Sequence, residues 1–210
     1  EGDFEGAVSD FEQTLRYRPE FSNAYLGRGI VYRDEGNFQR AIADFNQALK
    51  INPDHADAYY QRGKTYGEKG DMKRAVADYD EAIRIQPDFA EAYNDRGIER
   101  YNQNNFEGAY QDYDEAIRIQ PDYADAYNSR GLVHGIQGNL EGAIADFSQA
   151  LFIQPDYAAA YYNRAAIWQQ KKAYAAAITD YYKYLNLSKG MLYGAKSGAY
   201  RPRIPEHAVH

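Results

Sequence analysis

The sequence predicts an all-α fold, a solenoid of stacked 34-residue helix-turn-helix units. Three observations carry that prediction. Pro19, Pro53, Pro87, Pro121 and Pro155 each stand 34 residues after the last, a fixed spacing in the range of repeated helical hairpins. Segment 116–131 is nearly a copy of 82–97, with looser copies at 48–63 and 150–165. Between the prolines, apolar residues recur every three or four positions, the pattern of a helix with one buried face.

With Ser22 as position 1, Pro53 is position 32. Residues 22–35 then form a first helix, A, and 38–51 a second, B. Helix B carries Phe38, Ala41, Ile42, Phe45, Ala48 and Leu49 on one stripe. Helix A carries Ala24, Tyr25, Val31 and Tyr32 less regularly. Position 15 is Gly36, Gly70, Asn104 and Gly138. Glycine and asparagine tolerate the left-handed conformation that ends a helix, so these residues predict C-caps. Pro-Asp recurs at 53–54, 87–88, 121–122 and 155–156, and proline cannot continue a helix, so each pair predicts a turn.

The chain is expected to form one solenoid domain over residues 1–189: a half repeat at 1–21, then repeats starting at 22, 56, 90, 124 and 158. The last repeat decays, with Lys172, Tyr184 and Lys189 where glycine, a small residue and proline are expected. Residues 190–210, with Lys196, Pro202, Pro205, Arg201 and Arg203, read as an extended basic tail with a short helix near Leu192–Lys196. The sequence opens without methionine in the middle of a repeat, and so has the look of a fragment.

One 34-residue unit is too small to bury a sufficient core, so the units must lean on each other. Asp and Glu number 31 against 24 Lys and Arg, a net charge of −7. Phosphate backbones are bound by basic surfaces, so nucleic acid is not the expected partner. There is no cysteine, which excludes thiolate and disulfide chemistry. No run of about 20 apolar residues offers a membrane span. A soluble chain is expected, the cytoplasm favoured, with an upstream targeting signal left open.

In these residues the chain resembles the tetratricopeptide repeat family. The aromatic at position 4 is Tyr25, Tyr59, Tyr93, Tyr127 and Tyr161; the small residue at position 8 is Gly29, Gly63, Gly97, Gly131 and Ala165. Position 20 is Ala41, Ala75, Ala109, Ala143 and Ala177, and position 24 is Phe45, Tyr79, Tyr113, Phe147 and Tyr181. Position 11 departs at Arg100 and His134. The resemblance covers residues 1–188. It implies a right-handed superhelix whose A helices line a concave, partner-binding groove. It also implies a non-enzymatic scaffold for a protein or peptide ligand, working without a cofactor.

Carried onto this sequence, the groove positions include Asp57, Tyr60, Lys64, Glu91, Asn94, Asp95, Ile98, Asp125, Asn128, Leu132 and Tyr162. Asn94 and Asn128, at one offset in successive repeats, suit the backbone of an extended peptide, since each amide both donates and accepts. The acidic line Asp57, Glu91, Asp95 and Asp125 favours a basic partner. Leu26, Gln61, Glu91 and Asp95 stand where one family subtype places a carboxylate clamp of Lys, Arg and Asn, so carboxylate-tail binding of that kind is not expected.

Position 7, an apolar residue in the family, is Arg28, Arg62, Arg96, Arg130 and Arg164 here. Position 23 is Asp44, Asp78, Asp112, Asp146 and Asp180, with Asp10 in the half repeat. Opposite charges that recur together near a core are expected to meet, because an unpaired one is costly. The partner is either the aspartate of the same repeat or that of the preceding one. These residues are read as a structural ladder holding the repeats in register.

His55, His134, His207 and His210 do not form a metal-type cluster, and the carboxylates repeat with the period instead of converging on one asymmetric site. An active site needs unlike groups converging on one pocket. Two further readings stay open: a homo-oligomeric assembly element whose basic tail docks in a neighbour's acidic groove, and the regulatory arm of a larger enzyme.

Overall fold

The computed structural model describes residues 4–193. A half hairpin, α1 (Phe4–Tyr17), precedes five helical pairs. The A helices are α2 (Ser22–Asp34), α4 (Ala56–Glu68), α6 (Ala90–Asn102), α8 (Ala124–Ile136) and α10 (Ala158–Gln170). The B helices are α3 (Phe38–Ile51), α5 (Met72–Ile85), α7 (Phe106–Ile119), α9 (Leu140–Ile153) and α11 (Tyr174–Tyr193). Among the described residues there is no strand.

Local chemistry sets each boundary. At position 15 the backbone is left-handed, with φ +76° at Gly36, +81° at Gly70 and +76° at Gly138. Asn104 (φ +60°) and Lys172 (φ +61°) adopt the same geometry without glycine. The turn therefore survives in the last repeat although its preferred residue is gone. One residue later, Asn37, Asp71, Asn105 and Asn139 cap the B helices, each accepting from the backbone N–H three residues on. That supplies an acceptor to a donor the helix leaves unpaired. At the far end Asn52, Gln86, Gln120 and Gln154 are extended at φ −126°, the conformation forced on a residue before proline.

The last repeat lacks that proline, and α11 accordingly runs on through Lys189 to Tyr193. The expected extended segment thus begins as helix at residues 190–193. The rest of the tail, with Lys196, Arg201, Arg203, His207 and His210, lies outside the described residues.

Each A helix packs along its own B helix, and each B helix along the next A helix. The core between them is made of small residues and rings: Ala41, Ala75, Ala109 and Ala143 are fully buried beside Phe45, Tyr79, Tyr113 and Phe147. Gly97 shows why position 8 is small. A Cβ there would lie 2.6 Å from Tyr113 Cε1, inside van der Waals contact, so glycine's cost within a helix is offset by the ring it admits.

Beyond these pairs, α2 touches α4, α4 touches α6, α6 touches α8 and α8 touches α10. No B helix reaches the next B helix among the described residues. The A helices therefore sit on the inner, shorter side of the curve, and the B helices on the outer side.

Candidate binding face

The five position-7 arginines lie just beneath the A-helix surface, and each grips the aspartate of its own repeat. Arg28 Nε and Nη2 donate to Asp44 at 2.7 and 2.8 Å; Arg62 does the same to Asp78 at 2.8 and 2.6 Å. Arg96 reaches Asp112 at 3.1 and 2.6 Å, Arg130 reaches Asp146 at 2.9 and 2.8 Å, and Arg164 reaches Asp180 at 2.7 and 2.8 Å. The third nitrogen, Nη1, turns to position 25 of the preceding repeat: Asn46, Asp80, Asp114 and Ser148 accept from Arg62, Arg96, Arg130 and Arg164. Of the two partners left open by the sequence, the aspartate of the same repeat is the one used; the preceding repeat contributes position 25 and not its position-23 aspartate. The fork of a guanidinium has donors enough for two acceptors, which lysine has not in fixed geometry.

Each guanidinium also lies over the tyrosine three residues earlier on its helix, from 5.2 Å for Arg96 on Tyr93 to 5.7 Å for Arg28 on Tyr25 and Arg164 on Tyr161. Residues at i and i+3 face each other on a helix, so this stacking was legible from positions 4 and 7. Asp146 pushes the Arg130 guanidinium even further toward its charged form. Burial raises the Asp78 and Asp112 carboxyls against the opposing pull of Arg62 and Arg96.

The groove residues divide by exposure. Asp57, Glu91 and Asp125 are open to solvent, while Lys64, Asp95, Ile98, Leu132 and Tyr162 are half-buried. Tyr60, Asn94 and Asn128 differ from the expectation of an open face: they are buried, at 9%, 3% and 4% exposure. The reason is the close contact of successive A helices, which takes position 5 into the seam between them. Tyr60 donates its hydroxyl to Asp95 at 2.9 Å across α4 and α6. Asn163 Nδ2 donates to Asn128 Oδ1 at 2.9 Å across α8 and α10. Tyr162, in the last A helix, instead meets Tyr181 and Tyr184, with ring centroids 5.7 and 5.2 Å away.

Phe89, Tyr123 and Tyr157 directly precede α6, α8 and α10. Phe89 packs on Tyr60, centroids 4.8 Å apart, and Tyr157 donates to Asp125 at 2.5 Å. Burial, then the nearby carboxylates of Asp95 and Asp125, pushes the Tyr123 hydroxyl well above its ordinary value. Burial followed by Asp125 does the same to Tyr157. Burial is also the main cause raising Asp95, with the Lys64 charge pulling the other way. A second carboxylate, Glu99, is buried on α6 and raised by burial and by Asp95. Glu99 was not picked out from the sequence, because position 10 is apolar or threonine in the other repeats.

An open hollow lined by Lys69, Gly70, Asp71, Met72, Lys73 and Gln103 lies at the turn between α4 and α5. It is an opening between turns and not part of the A-helix face. Among the described residues, no group of three His, Cys, Asp or Glu side chains could hold a metal ion. No described helix is long and apolar enough to cross a membrane.

Comparison with known proteins agrees with this architecture. A family profile described as "TPR repeat" matches residues 29–70, 99–135 and 136–172, and one described as "Tetratricopeptide repeat" matches 56–89. A crystal structure of MamA is 26% identical, with TM-score 0.69 over 77% of this chain and 94% of that one. YrrB, whose crystal structure is titled "a TPR protein with an unusual peptide-binding site", is 20% identical, with TM-score 0.68 over 87% of this chain and 94% of its own. PilF of Pseudomonas aeruginosa is 24% identical, with TM-score 0.75 over 86% of this chain and 79% of its own. A search of curated protein sequences found no match.

Proposed function

We infer that this chain, which belongs to the tetratricopeptide repeat family, is a non-enzymatic interaction scaffold that takes a peptide or helix of a protein partner on its A-helix face. The observation that carries the reading is the contact of each A helix with the next while the B helices stay apart. It makes one continuous concave surface from α2 to α10, with Asp57, Glu91 and Asp125 exposed along it and Ile98 and Leu132 half-buried between them. Carboxylates on a rim with apolar side chains beneath suit a segment that is basic overall and partly apolar. YrrB supports the peptide reading, since that protein is described as having an unusual peptide-binding site.

Selection of random peptides by phage display tests this. Peptides selected on the wild-type chain are expected to lose at least about tenfold in affinity for an Ile98→Ser/Leu132→Ser variant of unchanged helicity, because truncating central contacts costs about 1–2 kcal/mol or more. Selected peptides that bind both proteins equally would move the binding surface elsewhere.

A further inference from the structure

The four seams between successive A helices are not alike. Across α2 and α4, Arg33 donates to Gln61, and His55 pairs with Asn23 at 2.8 Å. Tyr60 and Asp95 join α4 to α6, and Asn163 and Asn128 join α8 to α10. Among the described residues, no side-chain hydrogen bond crosses from α6 to α8. The repeat register explains the gap. Asn94 occupies on α6 the place Asn128 has on α8, and its donor by analogy with Asn163 would be Ser129. That side chain is shorter, and no hydrogen bond joins it to Asn94 among the described residues. Asn94 Oδ1 is left buried without a partner among the described residues, on a residue only 3% exposed. A buried acceptor without a donor is rare in folded proteins and asks for an explanation.

A second observation concerns charge at the same seam. Glu91, Asp95 and Glu99 follow each other at spacings of four on α6, one above the other on a single helix face. Elsewhere the solenoid matches each half-buried or buried aspartate of the ladder with an arginine. Here no Lys or Arg among the described residues lies within ion-pair distance of any of the three. Lys64, whose charge acts on Asp95, stands over the Tyr60 ring at 5.6 Å. Asp95 is held in place from two sides, by Tyr60 at 2.9 Å and by Asn94 Nδ2 at 3.2 Å, so carboxylate and orphaned amide oxygen belong to one assembly. Tyr123 is close enough for the Asp95 charge to raise its hydroxyl.

We propose that this seam is a recognition point for an arginine side chain of the bound segment, whose guanidinium pairs with Asp95 and supplies the N–H that Asn94 Oδ1 lacks. The proposal rests on the groove reading above and names the chemistry of its centre. A guanidinium has five donors in a rigid, planar fork, which reaches a carboxylate and a neighbouring acceptor together and stacks on a tyrosine face. An ammonium group is a point charge without that geometry. The solenoid already uses the same combination internally, since each ladder arginine holds an aspartate while lying over a tyrosine.

The test uses fluorescein-labelled octa-arginine and octa-lysine peptides, titrated with the whole chain and followed by anisotropy at physiological ionic strength. Octa-arginine is expected to bind more tightly than octa-lysine of equal charge. Asp95→Asn is expected to lower its affinity at least about tenfold, and Asp88→Asn, which removes an exposed turn carboxylate, less than about twofold. On the wild-type protein, the side-chain amide NMR signals of Asn94 should shift with octa-arginine and not with octa-lysine, a readout that needs no variant to fold. Absence of binding, equal affinity for the two peptides, or equal losses in Asp95→Asn and Asp88→Asn would overturn the proposal. If Ile98→Ser/Leu132→Ser weakens the phage-selected peptides while Asp95→Asn changes nothing, the arginine site fails and the groove reading stands. If those substitutions leave the selected peptides unaffected, the groove reading itself fails.

Discussion

Replacing Arg130 by methionine isolates what the ladder contributes. Methionine keeps most of the side-chain length and removes the charge and all three guanidinium contacts. Asp146 then loses the two hydrogen bonds at 2.9 and 2.8 Å and retains His134 Nε2 at 3.8 Å as its basic neighbour. Its side chain is 8% exposed, so water cannot replace the lost partner. Stranding a buried charge in this way costs about 3–5 kcal/mol. The contact from Nη1 to Asp114 adds little, because Asp114 is exposed, and surface ion pairs contribute about 0–1 kcal/mol. The stacking on Tyr127, at 5.6 Å, adds about 0.5–1 kcal/mol. A loss of about 4 kcal/mol corresponds to a fall of about 8–16 °C in melting temperature for a chain of this size.

Arg96→Met is the informative comparison, because Asp112 keeps a second arginine, Arg100 Nη1 at 2.9 Å. Its loss is expected to be about half as large. Arg130→Met/Asp146→Leu should recover most of the stability, since a paired charge replaced by apolar groups is near neutral. Urea unfolding followed by circular dichroism and by Trp168 fluorescence gives all three values. Equal losses in Arg130→Met and Arg96→Met, or strict additivity of Arg130→Met and Asp146→Leu, would refute the account of the ladder.

Two further outcomes concern the backbone. Gly97→Ala gains about 1 kcal/mol of helix propensity but forces the Tyr113 ring to move, at about 1–3 kcal/mol; the melting temperature is expected to fall, and to fall further in Gly97→Leu. A rise would mean the ring has room that the 2.6 Å contact denies. Lys172→Gly goes the other way: relieving a left-handed non-glycine residue returns about 1–2 kcal/mol, less glycine's greater freedom in the unfolded chain. Thermal unfolding should show a gain of about 0.5 kcal/mol or more, and a loss would contradict the φ of +61°.

Period, helix boundaries and core positions were readable from the chain alone, because each depends on residues close in sequence. Proline at position 32 ends helix B, glycine or asparagine at position 15 ends helix A, and the stripe of Ala41, Phe45 and Ala48 names the buried face. The charge ladder was legible as a pair of recurring residues. Its connectivity was not, since positions 7, 23 and 25 approach only when two hairpins are stacked. The same holds for Asn94 and Asn128. Identical residues at one offset look equivalent in sequence, yet one amide oxygen is satisfied by Asn163 and the other is not. That difference is set by the length of a side chain on the next helix, a distance between repeats that no local pattern encodes. The sequence by itself therefore determined the unit, its turns and the sign of its surface charge. Tertiary stacking decided which charges cancel within the solenoid and which, along α6, have no cation within ion-pair distance among the described residues.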